Sequence, residues 1–133
     1  MDKKLFEHGY FSWNELMTLN VDKAKKFYGD LFGWEMEDMP MEGMTYTVIK
    51  VKGDEIGGIM GTPPEAAGVP PHWGAYVTVR DVDAASKKAE ALGGQIIMPP
   101  TDIPKVGRFS VIQDPQGAAI AMITYLDQKE MEL

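Results

Sequence analysis

Apolar side chains recur in the first half of the chain with the spacing of a helix that packs one face against a sheet. They fall at i, i+3, i+4, i+7 and i+8, namely at Ala24, Phe27, Tyr28, Leu31 and Phe32, which lie on one side of an α-helix. The lysines between them face elsewhere. The pattern predicts a helix whose apolar stripe is buried, and burial of a side chain such as Phe27 stabilises a fold by about 1.5–3 kcal/mol.

Both halves of the chain carry signals for the start and the end of a helix. Asn20 and Asp81 have side chains that accept free backbone N–H groups at a helix start. Gly33 and the pair Gly93–Gly94 stand where the two helices end, because glycine adopts the left-handed conformation without a Cβ clash. The second helix has a weaker apolar stripe, at Val82, Ala85, Ala89 and Leu92.

Short segments rich in β-branched, aromatic and apolar residues surround the two helices. They have the length of strands, and the turn signal DPQG at 114–117 separates the last two. The predicted strands are 12–19, 34–38, 44–51 and 55–60 in the first half and 73–79, 95–99, 108–113 and 118–123 in the second. The order of elements is therefore β-α-β-β-β, twice.

The two halves also resemble one another directly. A shift of 61 residues places Leu16 on Val77 and Gly33 on Gly94, and such a fixed offset indicates a duplication. The seam GTPPEAAGVPPHW, at 61–73, has four prolines and two glycines, which favour a linker. We therefore expect a single domain over 1–133 with module one at about 10–61, the linker at 61–73 and module two at about 73–125.

Composition narrows the classes of function. The formal net charge of -7 disfavours binding to the phosphate backbone of nucleic acids and to anionic membranes. We therefore expect no nucleic-acid partner and no membrane partner. There is no cysteine, which excludes disulfides, thiolate metal sites and a cysteine nucleophile. No apolar run is long enough to span a bilayer and no signal peptide is evident. We expect a cytoplasmic protein.

Four stretches carry a resemblance to a known family: FYGDLFGW (27–34), WGAYVTVRDVDAA (73–85), LGG (92–94) and GRFSVIQDPQGAAIAMI (107–123). With them the chain resembles the vicinal oxygen chelate superfamily, also called the glyoxalase/bleomycin resistance/dioxygenase superfamily. The resemblance implies an α+β fold in which two βαβββ modules form a curved mixed sheet around a cavity, with the helices outside. It also implies a homodimer.

Metal-dependent members of that superfamily take one ligand from the first and one from the last strand of each module. Carried onto this sequence, the resemblance places those positions at Trp13, at Gly58 or Met60, at Gly74 and at Ala121. None of these side chains is a suitable ligand for a divalent ion of that type, since indole, methyl and hydrogen offer no lone pair and a thioether suits soft metals. We therefore expect no metal and no cofactor.

Alternation along the strands predicts which side chains face the implied cavity. Leu16 and Val77 should face the helices, so their neighbours point to the other side. A ligand would then meet apolar walls and small residues at Trp13, Met17, Gly58, Met60, Gly74, Thr78, Ala119 and Ala121. Trp73 points to the helix side in this register, as packing.

Glu15 is the strongest candidate for chemistry. A carboxylate that points into an apolar cavity is costly unless it is paired, and it can act as a base or anchor a cation. It can equally lie in water or pair with Arg108, which in turn either binds a ligand anion or braces the hairpin. His72 is either a solvated residue at a strand entrance or an acid–base group at the cavity rim, and Tyr76 is the alternative candidate partner of Glu15. Alternation leaves open whether Tyr46 reaches the cavity.

Two functions from different classes follow. The first is a metal-independent protein that binds a small organic molecule in an apolar, aromatic-walled cavity. The second is a metal-free lyase or isomerase that uses Glu15, with Tyr76 or His72, for proton transfer next to a carbonyl. A glyoxalase-type metalloenzyme is the third and is disfavoured by the empty ligand positions.

Overall fold

The computed structural model describes residues 3–41 and 43–126. In this part of the chain the elements follow the order β-α-β-β-β twice, which confirms the predicted α+β fold of two βαβββ modules. The elements are β1 (Phe11–Thr18), α1 (Val21–Phe32), β2 (Glu35–Met41), β3 (Met44–Val51), β4 (Asp54–Gly61), β5 (His72–Thr78), α2 (Val82–Ala91), β6 (Gln95–Ile103), β7 (Gly107–Gln113) and β8 (Ala119–Tyr125), with short 3₁₀ helices at Lys3–Phe6 and Pro64–Ala66.

The chain divides into two compact units. The first unit is Trp13–Gly74, and the second consists of the described residues before and after it. Neither described α-helix has the length and apolar character needed to cross a bilayer.

The first unit contains the strands in the order β2-β3-β4-β1. β1 and β4 are parallel, and the other two pairs are antiparallel. α1 begins as predicted, because the side chain of Asn20 accepts a hydrogen bond from the backbone N of Lys23 at 3.0 Å. It ends at Gly33, whose φ of 73° is left-handed. The residues predicted to begin and end the first helix, Asn20 and Gly33, therefore do so in the structure.

The core of the first unit forms where α1 covers the sheet. Leu16, Ile49 and Ile59 are buried there, beneath Val21, Ala24 and Tyr28 of the helix.

The prediction that the apolar stripe of α1 is buried is wrong in part. Phe27, Leu31 and Phe32 remain more than half exposed, at 59%, 58% and 56%. α1 contacts the sheet through Ala24 and Tyr28. The helix is therefore rotated about its axis relative to the prediction, and Phe27, Leu31 and Phe32 lie along its flank instead of against the sheet.

An aromatic cluster flanks α1. Trp73 lies at 5.3 Å from Tyr28 and 6.1 Å from Trp34, measured between ring centroids, and its indole N–H donates to the hydroxyl of Tyr28 at 3.2 Å. Phe32 stacks at 6.1 Å from Tyr28. Trp73 thus packs on the helix side of the first unit, where alternation placed it.

The second unit repeats this plan with the strand order β5-β8-β7-β6. β5 and β8 are parallel and the other pairs antiparallel. Asp81 caps α2, since its carboxylate accepts from the backbone N of Asp83 at 3.0 Å and of Ala84 at 3.2 Å. Val79, Val82 and Met122 form the buried core beneath the helix.

β2 and β6 are both longer than the sequence predicted. β2 continues to Met41 and β6 to Ile103, although both segments contain proline. Each strand is the outermost one of its unit's ladder, and an edge strand tolerates proline because one side of its backbone needs no partner. In β6 the pairing shifts between Met98 and Thr101, where the two prolines lie.

Candidate functional site

Three side chains meet on the face of the first unit's sheet that is opposite α1. Leu16 packs in the core under α1, so its neighbours in β1, including Glu15, point away from the helix. Trp13 and Glu15 therefore share one face. Tyr46 of β3 points to the same face, because Thr47 and Ile49 are buried and Ile49 packs under the helix.

The three side chains form a chain of hydrogen bonds, which we call the indole–phenol–carboxylate array. The indole Nε1–H of Trp13 donates to the hydroxyl oxygen of Tyr46 at 2.9 Å. The hydroxyl of Tyr46 donates to Oε2 of Glu15 at 2.6 Å, a length typical of a bond to an ionised acceptor. All three residues are partly buried. The hydroxyl of Tyr46 thus fixes the orientation of the Glu15 carboxylate. From the sequence it was open whether Tyr46 reaches this face.

Gly58 makes this array possible. β4 lies between β3 and β1, and Gly58 stands opposite Glu15 in the register. The Tyr46 ring crosses over Gly58, so closely that an added Cβ would collide with its hydroxyl and ring carbons. The sequence assigned the space at Gly58 to a ligand. In the structure Tyr46 of the same unit fills the space beside Gly58, and a ligand contact at Gly58 stays a prediction.

The other predicted residues of the first unit lie apart from the array or beside it. Met17 stands opposite Met60 in the β1–β4 pairing. Met60 borders a cavity of about 650 Å³ that also touches Lys25 and Asp38. At Gly74 an added Cβ would meet no atom within 4 Å, so this position is open. His72 is exposed, with Nδ1 at 2.8 Å from the carbonyl oxygen of Pro70, as expected for a solvated residue at a strand entrance.

Asp38 anchors one wall of that cavity. Its carboxylate accepts from Nζ of Lys25 at 3.0 Å and from the buried hydroxyl of Thr47 at 2.8 Å. The hydrogen bond from Thr47, and then the one from Lys25, lower the pKa of Asp38. These contacts tie α1 to β2 and β3.

In the second unit, Tyr76 and Ala121 face each other across the β5–β8 pairing. The ring of Tyr76 is buried and lies 6.3 Å from that of Phe109. Ala121 is buried as well, while Ala119 is exposed. Tyr76 and Ala121 thus contribute to the packing of their own unit.

Thr78, which the sequence predicts to line a ligand site, is a buried member of a polar network in the structure. It is 2% exposed, and its hydroxyl donates to the carbonyl oxygen of Leu5 at 2.5 Å and lies 2.8 Å from Oγ of Ser12. Oγ of Ser12 is in turn 2.8 Å from the hydroxyl of Tyr125. Burial raises the pKa of Tyr125. The sequence missed this buried polar network because its members are far apart in the chain.

Arg108 forms hydrogen bonds with two carboxylates of the second unit, the contacts expected if it braces the hairpin. Its Nε and Nη2 donate to the two carboxylate oxygens of Asp83 at 3.0 and 3.1 Å, and its Nη1 donates to Asp102 at 3.0 Å. The bond from Arg108 lowers the pKa of Asp83, and the two carboxylates raise the pKa of Arg108. Since Asp83 belongs to α2, these contacts place the Arg108 guanidinium on the helix side of its unit, and its role in ligand binding stays a prediction.

The positions that the family resemblance assigns to metal ligands do not fit a metal ion. The Trp13 indole is a donor only and uses its proton on Tyr46. Gly58 and Gly74 have no side chain and Ala121 has a methyl group. Met60, the alternative to Gly58, has a thioether, which suits only soft metals. Within residues 3–41 and 43–126 no group of three or more His, Asp or Glu side chains is arranged to hold a metal ion.

Two βαβββ units, each with its helix on one face of a mixed sheet, define a class of small α+β modules that hosts several chemistries. The chain belongs to the Glyoxalase/Bleomycin resistance protein/Dioxygenase superfamily, whose sequence model matches residues 11–122.

Curated relatives are similar over most of this chain. "Putative glyoxylase CFP32" of Mycobacterium tuberculosis is 45% identical over 118 residues, which cover 88% of this chain and 44% of that protein. "Anthracycline biosynthesis protein DnrV" of Streptomyces peucetius is 31% identical over 130 residues, covering 88% of this chain and 47% of the relative. The chain therefore spans about half the length of the curated relatives it matches.

Solved structures share the fold at low sequence identity. Methylmalonyl-CoA epimerase from Mycobacterium tuberculosis superposes with a TM-score of 0.66 at 15% identity, over 91% of this chain and 90% of the other. A variant of the Streptomyces coelicolor methylmalonyl-CoA epimerase in complex with 2-nitronate-propionyl-CoA gives a TM-score of 0.67 at 16% identity, over 91% and 100%. These similarities establish the fold alone.

Proposed function

We propose that this chain binds a small organic molecule, without a resident metal ion, on the sheet face that carries the indole–phenol–carboxylate array. The observation that supports this is the pair of hydrogen bonds from Trp13 to Tyr46 and from Tyr46 to Glu15. They give a partly buried carboxylate a fixed orientation two residues along β1 from Trp13, the position where the family resemblance expects a metal ligand.

The surroundings of the array suit a small molecule. The indole of Trp13 and the side chain of Met17 lie on the same face of β1, and aromatic and thioether groups make adaptable apolar contacts. The residues at the four ligand positions lack suitable donor atoms, so Glu15 takes the place of the metal as the charged group of the site. The homodimer and the cytoplasmic location expected from the sequence belong to this proposal; light scattering should give twice the monomer mass.

A thermal-shift screen of hydrophobic metabolites and antibiotics tests the proposal, because a bound ligand raises the melting temperature by mass action. We expect ligands whose shift is reduced in Glu15→Gln and retained in Glu35→Gln. Glu35 is an exposed glutamate of the same unit, so it controls for the loss of one charge. Elemental analysis of the purified protein should find no stoichiometric transition metal. One tightly held equivalent of metal, or shifts unaffected by Glu15→Gln, would refute the proposal.

The second candidate function is proton transfer at a carbon next to a carbonyl, with Glu15 as the base. It is favoured by the 2.6 Å separation of the Glu15 and Tyr46 oxygens, which places a weak acid beside a carboxylate. Exchange of the α-proton of thioester and ketone probes in deuterated water, followed by NMR, tests it. Glu15→Gln should lower the exchange rate by about 10²-fold or more, while a rate equal to that of the unmodified protein would exclude this function.

A further inference from the structure

A second concave site lies in the first unit, on the helix side of its sheet and therefore on the face opposite the array. This aromatic cleft has a volume of about 480 Å³, within the usual range of small-molecule pockets. Ile49, which packs under α1, lines it, and so do the rings of Tyr28, Phe32, Trp34 and Trp73.

The rings of the aromatic cleft are accessible and stand at steep angles to one another. Trp73 is 41% exposed, and an aromatic side chain gains free energy when a partner covers its apolar surface. Tyr28 and Trp34 are nearly parallel, at 25°, whereas Trp73 stands at 82° to Tyr28 and at 75° to Trp34. Aromatic rings prefer offset-stacked and edge-to-face contacts. A flat aromatic ligand can make both kinds of contact here, which a saturated ring system cannot.

The hydroxyl of Tyr28 gives the aromatic cleft a hydrogen-bond donor. The indole Nε1–H of Trp73 donates to the hydroxyl oxygen of Tyr28 at 3.2 Å. Since an indole N–H can only donate, the phenol oxygen is the acceptor in this bond, and its own proton points away from Trp73. Both residues line the cleft, so the hydroxyl lies beside the space that a ligand would fill.

The aromatic cleft suits a ligand without charge. Every residue that lines it is uncharged, and a carboxylate or ammonium group would lose hydration there without an ionic partner, which is costly. A carbonyl oxygen, by contrast, needs only a donor such as the hydroxyl of Tyr28.

We infer that the aromatic cleft is a second binding site, which takes neutral, flat aromatic molecules with a carbonyl group at the edge. In this site Trp34 and Trp73 contact the rings of the ligand, and Tyr28 donates a hydrogen bond to its carbonyl oxygen. The site uses no residue of the array, so it goes beyond the proposed function and does not depend on it.

Three neutral probes with two fused six-membered rings test the inference on the intact chain. Coumarin is flat and has a carbonyl, naphthalene is flat and has none, and 2-decalone is a saturated ketone. Binding is followed through the indole ¹H–¹⁵N signals of Trp34 and Trp73, assigned with Trp34→Phe and Trp73→Phe. The Trp13 signal is the internal reference, because Trp13 lies on the array face.

We expect coumarin and naphthalene to shift the signals of Trp34 and Trp73 and to leave that of Trp13 in place. Coumarin should bind about two- to tenfold more tightly than 2-decalone, which is the difference that an aromatic ring contact supports. Trp73→Leu should weaken coumarin and naphthalene by a similar factor, and 2-decalone least, because the saturated probe makes no ring contact with the indole.

Tyr28→Phe tests the hydrogen bond separately from the ring contacts. It keeps the ring and removes the hydroxyl, so it should weaken coumarin by about two- to tenfold, the range of a neutral hydrogen bond, and leave naphthalene unchanged. Tyr10→Phe is the matched control, since Tyr10 is an exposed tyrosine that does not line the cleft. It should change the binding of neither probe.

Four results would overturn the inference. Coumarin that binds no more tightly than 2-decalone would show that the cleft does not favour aromatic rings. Equal losses for coumarin and naphthalene in Tyr28→Phe would show that the hydroxyl is not a ligand donor. Probes that shift the Trp13 signal alone would place their binding on the array face. Trp34 and Trp73 signals that respond to dilution of the protein, and to no probe, would show that a second copy of the chain covers the cleft.

Discussion

The hydroxyl of Tyr46 lies directly over the backbone of Gly58 and occupies the space that a Cβ at position 58 would need. Neighbouring strands are about 4.8 Å apart, and β4 separates β3 from β1. A tyrosine on β3 therefore reaches Glu15 on β1 only by crossing the strand between them. Because Gly58 has no side chain, the Tyr46 ring has room to cross β4 at this position.

Gly58→Ala should break the array. The new methyl group overlaps the Tyr46 ring, and overpacking of this kind costs about 1–3 kcal/mol in the free energy of unfolding. Thermal denaturation measures the loss, and the indole signal of Trp13 reports the broken bond to Tyr46. Gly61→Ala on the same strand is the control, because its Cβ would meet only Val21 at 3.9 Å. Equal effects of the two substitutions would contradict this account.

The bond between Glu15 and Tyr46 should appear as a coupling energy. In a double-mutant cycle of Glu15→Ala and Tyr46→Phe, we expect about 1–2 kcal/mol of interaction in the free energy of unfolding, since hydrogen bonds to charged groups exceed neutral ones. Chemical denaturation of the four proteins measures it. Pairing Tyr46→Phe with Glu35→Ala provides the reference cycle, for which the coupling should be near zero. Additive effects in both cycles would show that the bond adds no stability.

The stability of the protein should fall on acidification below about pH 4, the ordinary range of aspartate. The pKa values of Asp38, Asp83 and Asp114 are all lowered, in each case by hydrogen bonds to the carboxylate. A lowered folded-state pKa contributes stability that is present above the unfolded pKa and is lost as the pH falls through the folded one. Melting temperatures between pH 7 and pH 2 measure the decline.

Asp114 offers the sharpest check of this acid dependence. In the DPQG turn its carboxylate accepts from the backbone N of Gln116 at 2.9 Å and of Ala118 at 3.0 Å. Asp114→Asn should lower the melting temperature at pH 7 and flatten its dependence on pH, because the titrating group is gone. Asp54→Asn should leave that dependence intact. An unchanged slope in Asp114→Asn would rule out the turn as a source of the effect.

Arg108→Lys should reduce stability without touching ligand binding. Lysine cannot donate to both oxygens of Asp83 while also reaching Asp102. The side chain of Arg108 is 38% exposed, so solvent screens its ion pairs and the loss of stability should be small. Denaturation at low and high salt measures it, with Arg80→Lys as the control. Weaker ligand binding in Arg108→Lys would instead support the ligand-binding role that the sequence also allowed.

Thr78→Val should lower the free energy of unfolding more than the similar size of the two side chains suggests. It leaves the carbonyl oxygen of Leu5 and the hydroxyl of Ser12 without the Thr78 partner, and orphaned buried polar groups cost about 1–3 kcal/mol. Thr78→Ser keeps the hydroxyl and should recover most of the loss, apart from the missing methyl group. If valine and serine destabilised the protein equally, packing rather than the hydroxyl would be the cause.

The sequence alone determined what depends on local pattern. The period of the apolar residues and the caps at Asn20 and Asp81 fixed the two helices. The duplicated order of signals gave both βαβββ modules, and alternation put Glu15 and Leu16 on opposite faces. These features could be predicted because each one acts within a few residues along the chain.

The tertiary structure decided the rest. Tyr46 stands 31 residues from Glu15, and only the order of the strands brings them together across Gly58. The rotation of α1 that exposes Phe27 depends on how the helix settles on its sheet, and the pairing of Arg108 with Asp83 depends on the position of α2 over β7. Such contacts depend on the register and packing of distant segments, which no local periodicity encodes.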